Sequence, residues 1–398
     1  MREAVIVEAV RTPVGKGKQG GALSGWHPVD LLATTLRSLV DKAGVDPEIV
    51  DDVITGCVSQ AGEQTFNVGR NAVLAAGFPE SVPATTIDRQ CGSSQQAAHF
   101  AAQGVISGAY DVAIASGVEV MSRVPMFSST MGENPFGEKI MERYEKGLVQ
   151  QGISAELIAA KWGLSREDLD EFSARSHRLA HEAHEAGRFD EEIIPIKVTR
   201  EDGSVEELTR DEGIRPDTTV ETLSNLRPAF YDEATEERFP QINWVIHAGN
   251  ASQISDGAAA LLIMEREKAE QLGLPIRARF HSFALAGDDP IYMLTGVIPA
   301  TEKVLERAEL AIDDIDVFEV NEAFAPVVLA WAEELGADLD KVNVNGGAIA
   351  LGHPLGASGA KLMTTLVHAM EQRGARYGLQ TMCEGGGMAN ATILERVE

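Results

Sequence analysis

The sequence is short of the features that mark disulfide-rich, metal-binding and membrane proteins. Its 398 residues include three cysteines, Cys57, Cys91 and Cys383. Their odd number and wide spacing argue against a disulfide framework and against a zinc site. No apolar run approaches the ~20 residues of a membrane span, and the start of the chain does not resemble a signal peptide. We therefore expect a cytoplasmic protein with free thiols and no metal.

Basic residues are also scarce: 34 lysines and arginines stand against 61 acidic residues, for a net charge of −27. Such a surface repels nucleic acid and anionic membranes, so neither is expected as a partner. The acidic excess fits both a high-salt host and an ordinary acidic surface. The length and the 44% hydrophobic content suffice for a substantial core and for two or more domains.

Strand-like runs alternate with amphipathic stretches towards both ends of the chain, which is typical of α/β layering. In the N-terminal part, the predicted strands span residues 4–10, 53–58, 85–88 and 111–115. In the C-terminal part, they span residues 276–283, 316–320, 341–345, 378–383 and 391–397. The two sets resemble each other, and we predict two similar α/β domains with the site in the cleft between them.

The middle of the chain, residues 122–246, is rich in glycine, proline and charge, and we interpret it as an inserted loop domain that covers the site. It contains a predicted helix over residues 165–187, which opens with a good N-cap and ends on glycine. The N-terminal half then comprises residues 1–121 and 247–272. The C-terminal half comprises residues 273–398.

Two motifs are better explained without a ligand. Residues 15–20 spell G-x-G-x-x-G, but the sequence stays loop-like up to about Pro28, whereas the dinucleotide fingerprint needs a helix directly at the glycines. His177, His181 and His184 share one helical face, but the many charged neighbours favour a solvated face over a metal site.

Cys91 lies where the predicted strand 85–88 turns into an amphipathic helix, so its thiol is expected at a helix N-terminus. Unpaired N–H groups there can lower a cysteine pKa from about 8.5 to about 3.5–7.5 and raise the thiolate fraction. A nucleophile is one interpretation, and a small buried core residue is the other.

His353 lies in a glycine-dense stretch, residues 345–359, that leads into another amphipathic helix. Backbone without Cβ atoms allows a ligand or a facing loop to come close. A histidine in such a place is a candidate base or acid, and a loop residue without a task is the alternative.

Cys383 and Asn321 both follow predicted strands, at the carboxyl ends where α/β sheets place their chemistry. Cys383 precedes a flexible turn rich in N–H groups, Gly385-Gly386-Gly387. Asn321 is suited to orient a water molecule or an oxyanion.

Four blocks of the chain resemble, in order, the four signature blocks of thiolases: Cys91-Gly92-Ser93-Ser94, Asn321-Glu322-Ala323-Phe324, Gly352-His353-Pro354 and Cys383-Glu384-Gly385-Gly386-Gly387. The resemblance implies duplicated α/β domains packed as a layered αβαβα sandwich with an inserted loop domain. It also implies an acyltransferase that makes or breaks a carbon–carbon bond next to a coenzyme A thioester. Both acetyl-CoA C-acetyltransferase and acetyl-CoA C-acyltransferase fit.

The resemblance assigns a role to each block. Cys91 would carry the acyl group, His353 would activate it, and Cys383 would move the proton at the α-carbon of acetyl-CoA. One oxyanion would be stabilised by His353 with a water held by Asn321, and the other by the backbone N–H groups of Cys91 and Gly385. No metal or permanently bound cofactor is implied; coenzyme A would be a co-substrate.

The coenzyme A channel is implied by a further set of residues: Ser252, Ala323, Phe324 and Phe230. The expected partners are acyl-CoA thioesters and coenzyme A. A homodimer through the N-terminal half is implied, with a homotetramer through the loop domain as the alternative.

One block departs from the family pattern. Many acetoacetyl-CoA thiolases carry His-Met-Gly in the loop domain, where this chain reads Gln150-Gln151-Gly152. The departure favours a longer or bulkier acyl group, up to a steroid side chain, over a strictly four-carbon substrate.

Two other functions compete with this interpretation. A ketoacyl synthase shares the fold and the nucleophile but has no need of a second acid–base thiol such as Cys383. A non-catalytic thiolase-like partner subunit would normally lack one of the four blocks, and all four are present here.

Overall fold

A computed structural model describes residues 2–199 and 203–397 of the chain. Its strands are β1 Ala4–Arg11, β2 Gly15–Lys16, β3 Asp52–Gly56, β4 Ala84–Ile87, β5 Val112–Val120, β6 Ile196–Thr199, β7 Val205–Leu208, β8 Ser255–Glu265, β9 Ala278–Gly287, β10 Val317–Val320, β11 Tyr377–Glu384 and β12 Met388–Arg396. Its helices are α1 Pro28–Ala43, α2 Val68–Ala75, α3 Ser93–Ser107, α4 Gly137–Arg143, α5 Gln151–Lys161, α6 Arg166–Glu185, α7 Val220–Ser224, α8 Glu233–Arg238, α9 Arg266–Gln271, α10 Val297–Ala308, α11 Ala325–Leu335, α12 Ala348–Leu351 and α13 Ser358–Arg373.

Ten of these strands form one large mixed sheet in the order β10-β11-β12-β9-β1-β8-β5-β3-β4, with β2 paired to β8. In the N-terminal half, β3 runs parallel to β4 and β5, and β5, β8 and β1 follow antiparallel. In the C-terminal half, β10 runs parallel to β11, and β11, β12 and β9 follow antiparallel. The matching order and directions support the predicted duplication.

Three hydrophobic cores lie between the strands and the helices that pack on them. One core lies between the N-terminal strands and helices α1 and α2, and another between the C-terminal strands and α10 and α11. The third lies between the two halves and is filled by α3 and α13. Every residue of α13 from Ser358 to Met370 is buried, as expected for a helix covered on all sides. The helices alternate with the two halves of the sheet in the order helix, sheet, helix, sheet, helix, which confirms the predicted layered αβαβα fold.

The strand predicted over residues 341–345 is wrong. The segment forms only isolated bridges, such as Phe318 with Val342, although it occupies the place that β4 has in the other half. Asn343 has a φ of 48°, which takes the backbone out of the extended region. Its side chain instead bonds the backbone N and O of Val320, each at 2.9 Å, and replaces the missing ladder contacts.

Helix α6 confirms the helix predicted over residues 165–187. Ser165 caps it, and the Asp168 carboxylate bonds back to the N–H of Ser165 at 2.7 Å to complete a capping box. The predicted solvated histidine face is wrong, because His177 and His184 are buried. His177 Nδ1 accepts from the Arg215 N–H at 3.1 Å, and His184 Nε2 lies 3.3 Å from an Asp211 oxygen.

The connection from β5 to β8 holds helices α4 to α8 and the β6–β7 hairpin, which has its own two-stranded sheet. It corresponds to the predicted loop domain, whose boundaries stay a prediction. Within residues 2–199 and 203–397, no helix combines the length and the apolar character that crossing a membrane requires.

Candidate active site

Cys91 lies in a tight loop between β4 and α3. Gln90 adopts a left-handed conformation with a φ of 46°. Ser93, the first residue of α3, fixes the loop because its Oγ accepts from Arg89 N at 2.9 Å and donates to Gln90 O at 2.6 Å. The thiol therefore stands just before a helix N-terminus, as the sequence predicts.

The Cys91 thiol is buried against Leu362 and Met382, with Leu355 alongside. Burial raises the pKa of Cys91 from 9.0 to about 12, and the Glu384 carboxylate also raises it. Hydrogen bonds from the Gln151 side chain and from the N–H groups of Cys91 and Gly385 act in the opposite direction. The predicted lowering of the Cys91 pKa is therefore wrong, because lost solvation outweighs the helix N-terminus.

His353 is the candidate for the base that takes the proton of the Cys91 thiol. Its backbone N–H donates to Gln253 O at 3.2 Å and to Ser255 Oγ at 3.0 Å. Its Nδ1 lies 2.5 Å from Ser358 Oγ, and that hydroxyl donates to Pro354 O at 2.9 Å. Because the serine proton is used on Pro354, Nδ1 carries the histidine proton and Nε2 keeps a free lone pair.

The electrostatics of His353 agree with that assignment. Burial, together with the positive charge of Lys361, lowers the pKa of His353 from 6.5 to about 3. The imidazole is therefore neutral at physiological pH and is able to accept a proton at Nε2. Asn321 Nδ2 lies 3.4 Å from Nε2, so the predicted His353–Asn321 pair is brought together.

Asn321 follows β10 directly, and its neighbour Glu322 anchors the segment. The Glu322 carboxylate accepts from Ser176 Oγ at 2.6 Å, Asn343 Nδ2 at 2.9 Å and Ile349 N at 3.1 Å. Asn321 Oδ1 is buried and has no hydrogen-bond partner among the described residues. It is therefore available to accept a hydrogen bond from a water molecule or a substrate.

Cys383 lies at the end of β11, where its backbone pairs with Ala389. Burial raises its pKa well above 9.0, and the charge of Cys91 raises it further. Met382, the residue before Cys383, packs in the same small apolar cluster as Cys91, so the two thiols lie in one region of the site. Gly385 comes next but one after Cys383, and its N–H reaches Cys91. It is followed by a turn in which Gly386 and Gly387 have positive φ.

Glycines bring the two halves into contact at this site. A Cβ on Gly356, three residues after His353, would lie 2.6 Å from the Cys57 Cα, and one on Gly359 would lie 2.1 Å from the Gln95 N. The Ala360 N–H donates to Ser94 Oγ at 2.8 Å. The histidine loop is thus pressed onto the start of the helix that follows the cysteine.

The residues predicted for the coenzyme A channel lie next to each other in the fold. Ser252 N donates to Ala323 O at 2.9 Å, and the rings of Phe230 and Phe324 meet edge to face with centroids 6.0 Å apart. Both phenylalanine rings belong to or pack against the C-terminal core. The structure brings the four residues together, and their binding role stays a prediction.

Three contributors were missed at the sequence level: Ser358, Gln151 and Glu384. Ser358 follows His353 by five residues, a spacing that only the folded loop explains. Gln151 was singled out for its departure from the family pattern but not as a neighbour of Cys91. Among the described residues, no group of three or more histidine, cysteine, aspartate or glutamate side chains is placed to hold a metal ion.

The layered fold and the cysteine–histidine arrangement are those of an acyl-transferring enzyme. Residues 4–267 match the family model described as thiolase, N-terminal domain, and residues 274–396 match thiolase, C-terminal domain. These matches cover nearly the whole chain.

Full-length relatives agree. The chain is 49% identical over 405 residues to steroid 3-ketoacyl-CoA thiolase FadA6 of Mycobacterium tuberculosis, covering 100% of this chain and 95% of the relative. It is 46% identical over 402 residues to 3-ketoacyl-CoA thiolase of Pseudoalteromonas translucida and 46% over 401 residues to that of Pectobacterium carotovorum, with 100% of each chain covered. The chain belongs to the thiolase family. It is an acyltransferase that acts on acyl-CoA thioesters, with coenzyme A as its co-substrate.

Proposed function

We propose that the protein is an acetyl-CoA C-acyltransferase. It cleaves a 3-ketoacyl-CoA with free coenzyme A into acetyl-CoA and an acyl-CoA shortened by two carbons, or runs the reverse condensation. The observation that carries the proposal is the meeting of the four blocks in the fold: Asn321 Nδ2 lies 3.4 Å from His353 Nε2, and Cys91 packs against Met382, the residue before Cys383. The full-length relatives are named 3-ketoacyl-CoA thiolases, which supports this activity over acetyl-CoA C-acetyltransferase.

In the first half of the reaction, His353 Nε2 takes the proton of Cys91, and the thiolate attacks the keto carbon of the substrate. The keto oxygen becomes negative, and the N–H groups of Cys91 and Gly385, which both reach the sulfur, stabilise it. The bond between C2 and C3 then breaks and leaves its electron pair on C2. The Cys383 thiol protonates C2, and acetyl-CoA departs.

The enolate that forms as this bond breaks carries its negative charge on the thioester oxygen. The protonated Nε2 of His353 and a water held by the free Oδ1 of Asn321 are the proposed donors to that oxygen. A neutral resting histidine suits both tasks, because it first accepts a proton and then donates a hydrogen bond through it.

The second half restores the enzyme. The thiol of coenzyme A gives its proton to the Cys383 thiolate and attacks the acyl carbon on Cys91. The bond from that carbon to the Cys91 sulfur breaks, and the leaving thiolate takes back the proton from His353. Both thiols and the neutral imidazole are thereby regenerated. In both halves, the surface of Ser252, Ala323, Phe324 and Phe230 holds the pantetheine arm of coenzyme A.

A substrate series tests the proposal. Thiolysis is measured with free coenzyme A and 3-ketoacyl-CoA thioesters of rising length, including a steroid side-chain thioester because one relative carries that name. Turnover should extend beyond acetoacetyl-CoA, since Gln150 and Gln151 replace the histidine and methionine usual in four-carbon enzymes. The Cys91→Ala variant is the blank. Turnover of acetoacetyl-CoA alone would favour acetyl-CoA C-acetyltransferase instead.

A further inference from the structure

Glu119 is a fully buried residue near the end of β5, and its carboxylate connects the two halves of the molecule. Its Oε2 accepts from the Val58 N–H and from the Gly356 N–H, each at 2.9 Å. Its Oε1 accepts from the Ser59 N–H at 3.0 Å and from Gln64 Nε2 at 2.9 Å. Three of these donors come from the segment after β3, and the fourth comes from the loop that carries His353.

The four donors match the ionised form of Glu119. Each carboxylate oxygen accepts two N–H groups, and a buried carboxylate needs such donors to offset its lost solvation. Burial raises the pKa of Glu119, and these hydrogen bonds act against that rise. Because all four neighbouring groups donate, the place suits a side chain that accepts at both oxygens, which a carboxylate does and an amide does not.

Gly356, the residue that Glu119 binds in the C-terminal half, lies between two supports of the site. Leu355, just before it, packs against Cys91. Ser358, two residues after it, lies with its Oγ 2.5 Å from Nδ1 of His353. The Gly356 N–H is therefore anchored at the point of the chain from which both the thiol and the imidazole are supported.

Glycines in the N-terminal strands make room for this contact. Gly56 ends β3, and Gly117 lies in β5 two residues before Glu119. A Cβ would lie 2.8 Å from the Gly356 carbonyl oxygen if placed on Gly56, and 2.3 Å from it if placed on Gly117. The N-terminal half therefore confines Gly356 at its carbonyl through the two strands and at its N–H through Glu119.

We propose that Glu119 is a positioning residue that holds the loop of His353 in place against Cys91. The inference rests on the proposed function, in which His353 takes the proton of the Cys91 thiol. Such a transfer depends steeply on how the two groups are placed, and a displacement of about 1 Å is able to cost about 10²-fold in rate. Glu119 acts through the Gly356 N–H, so its loss should impair the chemical step rather than the binding of coenzyme A.

The test compares Glu119→Gln with the wild type, both as full-length proteins. The amide keeps the size of the side chain but turns an NH₂ group towards two N–H donors, so those hydrogen bonds are lost. In thiolysis of acetoacetyl-CoA, kcat should fall about 10–10²-fold while KM for coenzyme A stays within about threefold. Alkylation of Cys91 by iodoacetamide at about pH 7, read by mass spectrometry, should slow by about tenfold or more.

Asp51→Asn is the matched control. At the other end of β5, the Asp51 carboxylate accepts from the N–H groups of Asp111 at 2.7 Å and Val112 at 2.9 Å. The same chemical change there removes the same kind of contact without involving the loop of His353, so kcat and the alkylation rate should keep their wild-type values. Glu119→Asp keeps the charge on a shorter side chain, and its kcat should lie between those of Glu119→Gln and the wild type.

A purely structural role would lower the unfolding midpoint of the Glu119 variants without changing kcat or the alkylation rate. A wild-type value of either quantity in folded Glu119→Gln would therefore overturn the inference, and Glu119→Asp decides in the same way if Glu119→Gln does not fold. Thiolysis that survives in Cys91→Ala would overturn the proposed function. Loss of thiolysis in Cys91→Ala with wild-type kinetics in Glu119→Gln would overturn the role of Glu119 alone.

Discussion

At the scale of single residues, the site is organised by burial. Cys91 and Cys383 are both fully covered, and burial keeps both thiols protonated at rest. The same burial keeps His353 neutral at rest, with the lone pair of Nε2 unprotonated. A neutral acid, a neutral base and a neutral nucleophile avoid the cost of burying a fixed charge, and charge develops only as the substrate reacts.

Glu384 is the exception in this arrangement. It is fully buried directly after Cys383, its carboxylate oxygens have no hydrogen-bond partner within the described chain, and a Cβ on Gly92 would lie 2.1 Å from it. Burial raises its pKa from 4.5 to about 8; Arg89 acts against that rise and Asp88 adds to it. The carboxyl is therefore protonated in the folded protein at neutral pH.

Glu384 should make the stability of the protein depend on pH. Between about pH 4.5 and about pH 8 the side chain is protonated when folded and ionised when unfolded, so the free energy of unfolding falls as the pH rises through this window. Glu384→Gln removes the titrating group. In urea unfolding at about pH 5 and about pH 8, the loss of stability between the two should be smaller in the variant. An equal loss in both proteins would show that Glu384 ionises normally in the fold.

At the scale of elements, the packing of α13 against α3 sets the relative positions of the histidine loop and the cysteine loop. The closest approach is at Gly359, the second residue of α13, which leaves no room for a side chain against the Gln95 backbone. The amide of Gln95 reaches across to Gln380 O at 3.3 Å and to Thr392 Oγ1 at 2.8 Å. The two central helices are thus locked to each other and to the C-terminal strands.

Gly359→Ala should therefore destabilise the fold by about 1–3 kcal/mol, the usual range for overpacking a core. The measurement is the free energy of unfolding from denaturant titration. Gly25→Ala is the matched control: a Cβ at this exposed position meets no atom within 4 Å, and its stability should stay within about 1 kcal/mol of wild type. Equal stability of the two variants would mean that α3 and α13 are able to move apart at Gly359 without a loss in the free energy of unfolding.

Helices and strands are predicted correctly from the sequence where local signals determine them. They are predicted wrongly where a side chain replaces the hydrogen bonds of the backbone. The capped helix α6 was predicted because Ser165 and the acidic first turn are local signals. A strand was predicted at residues 341–345 and does not form. The sequence could not show this, since the hydrogen bonds of the Asn343 side chain to Val320 exist only in the folded chain. Strand β8 was not predicted either: its small residues in Asp256-Gly257-Ala258-Ala259 look weak in a strand until neighbours on both sides bury them.

The candidate site shows the same difference between what local sequence signals predict and what only the folded chain determines. The four blocks identified the candidate residues because each carries a chemically distinctive side chain among glycines. Their electrostatics could not be predicted, because the pKa of Cys91 depends on burial by Leu362 and Met382, which are distant in sequence. The burial of His177 and His184 was missed for the same reason, since their partners come from the segment after residue 210.

At the scale of the whole molecule, the edge of the sheet offers a surface for a second copy, and we propose a homodimer. In the described part of the chain, β4 pairs with β3 alone, and the nearby Phe66 is 91% exposed. Exposed strand edges invite pairing with another chain. Light scattering should give about twice the 42.7 kDa of one chain, or four times that mass if the loop domain joins dimers. A single 42.7 kDa species at working concentration would contradict the proposal.

The central claim concerns both halves of the molecule, because each contributes one thiol and the two are proposed to have different tasks. Cys91→Ala removes the nucleophile, so it should lose both acylation and turnover. Cys383→Ala keeps the nucleophile, His353 and the backbone donors. It lacks the group that moves the α-proton, a loss that typically costs about 10²–10⁴-fold.

The most direct test is to incubate Cys383→Ala with acetyl-CoA and to follow the intact mass of the protein together with acetoacetyl-CoA formation. The acetyl group should accumulate on Cys91 as added mass while condensation stalls, and Cys91→Ala should show neither. Near-normal condensation by Cys383→Ala would mean that Cys383 is only a packed thiol, and the two-thiol mechanism would give way to one of the ketoacyl synthase type.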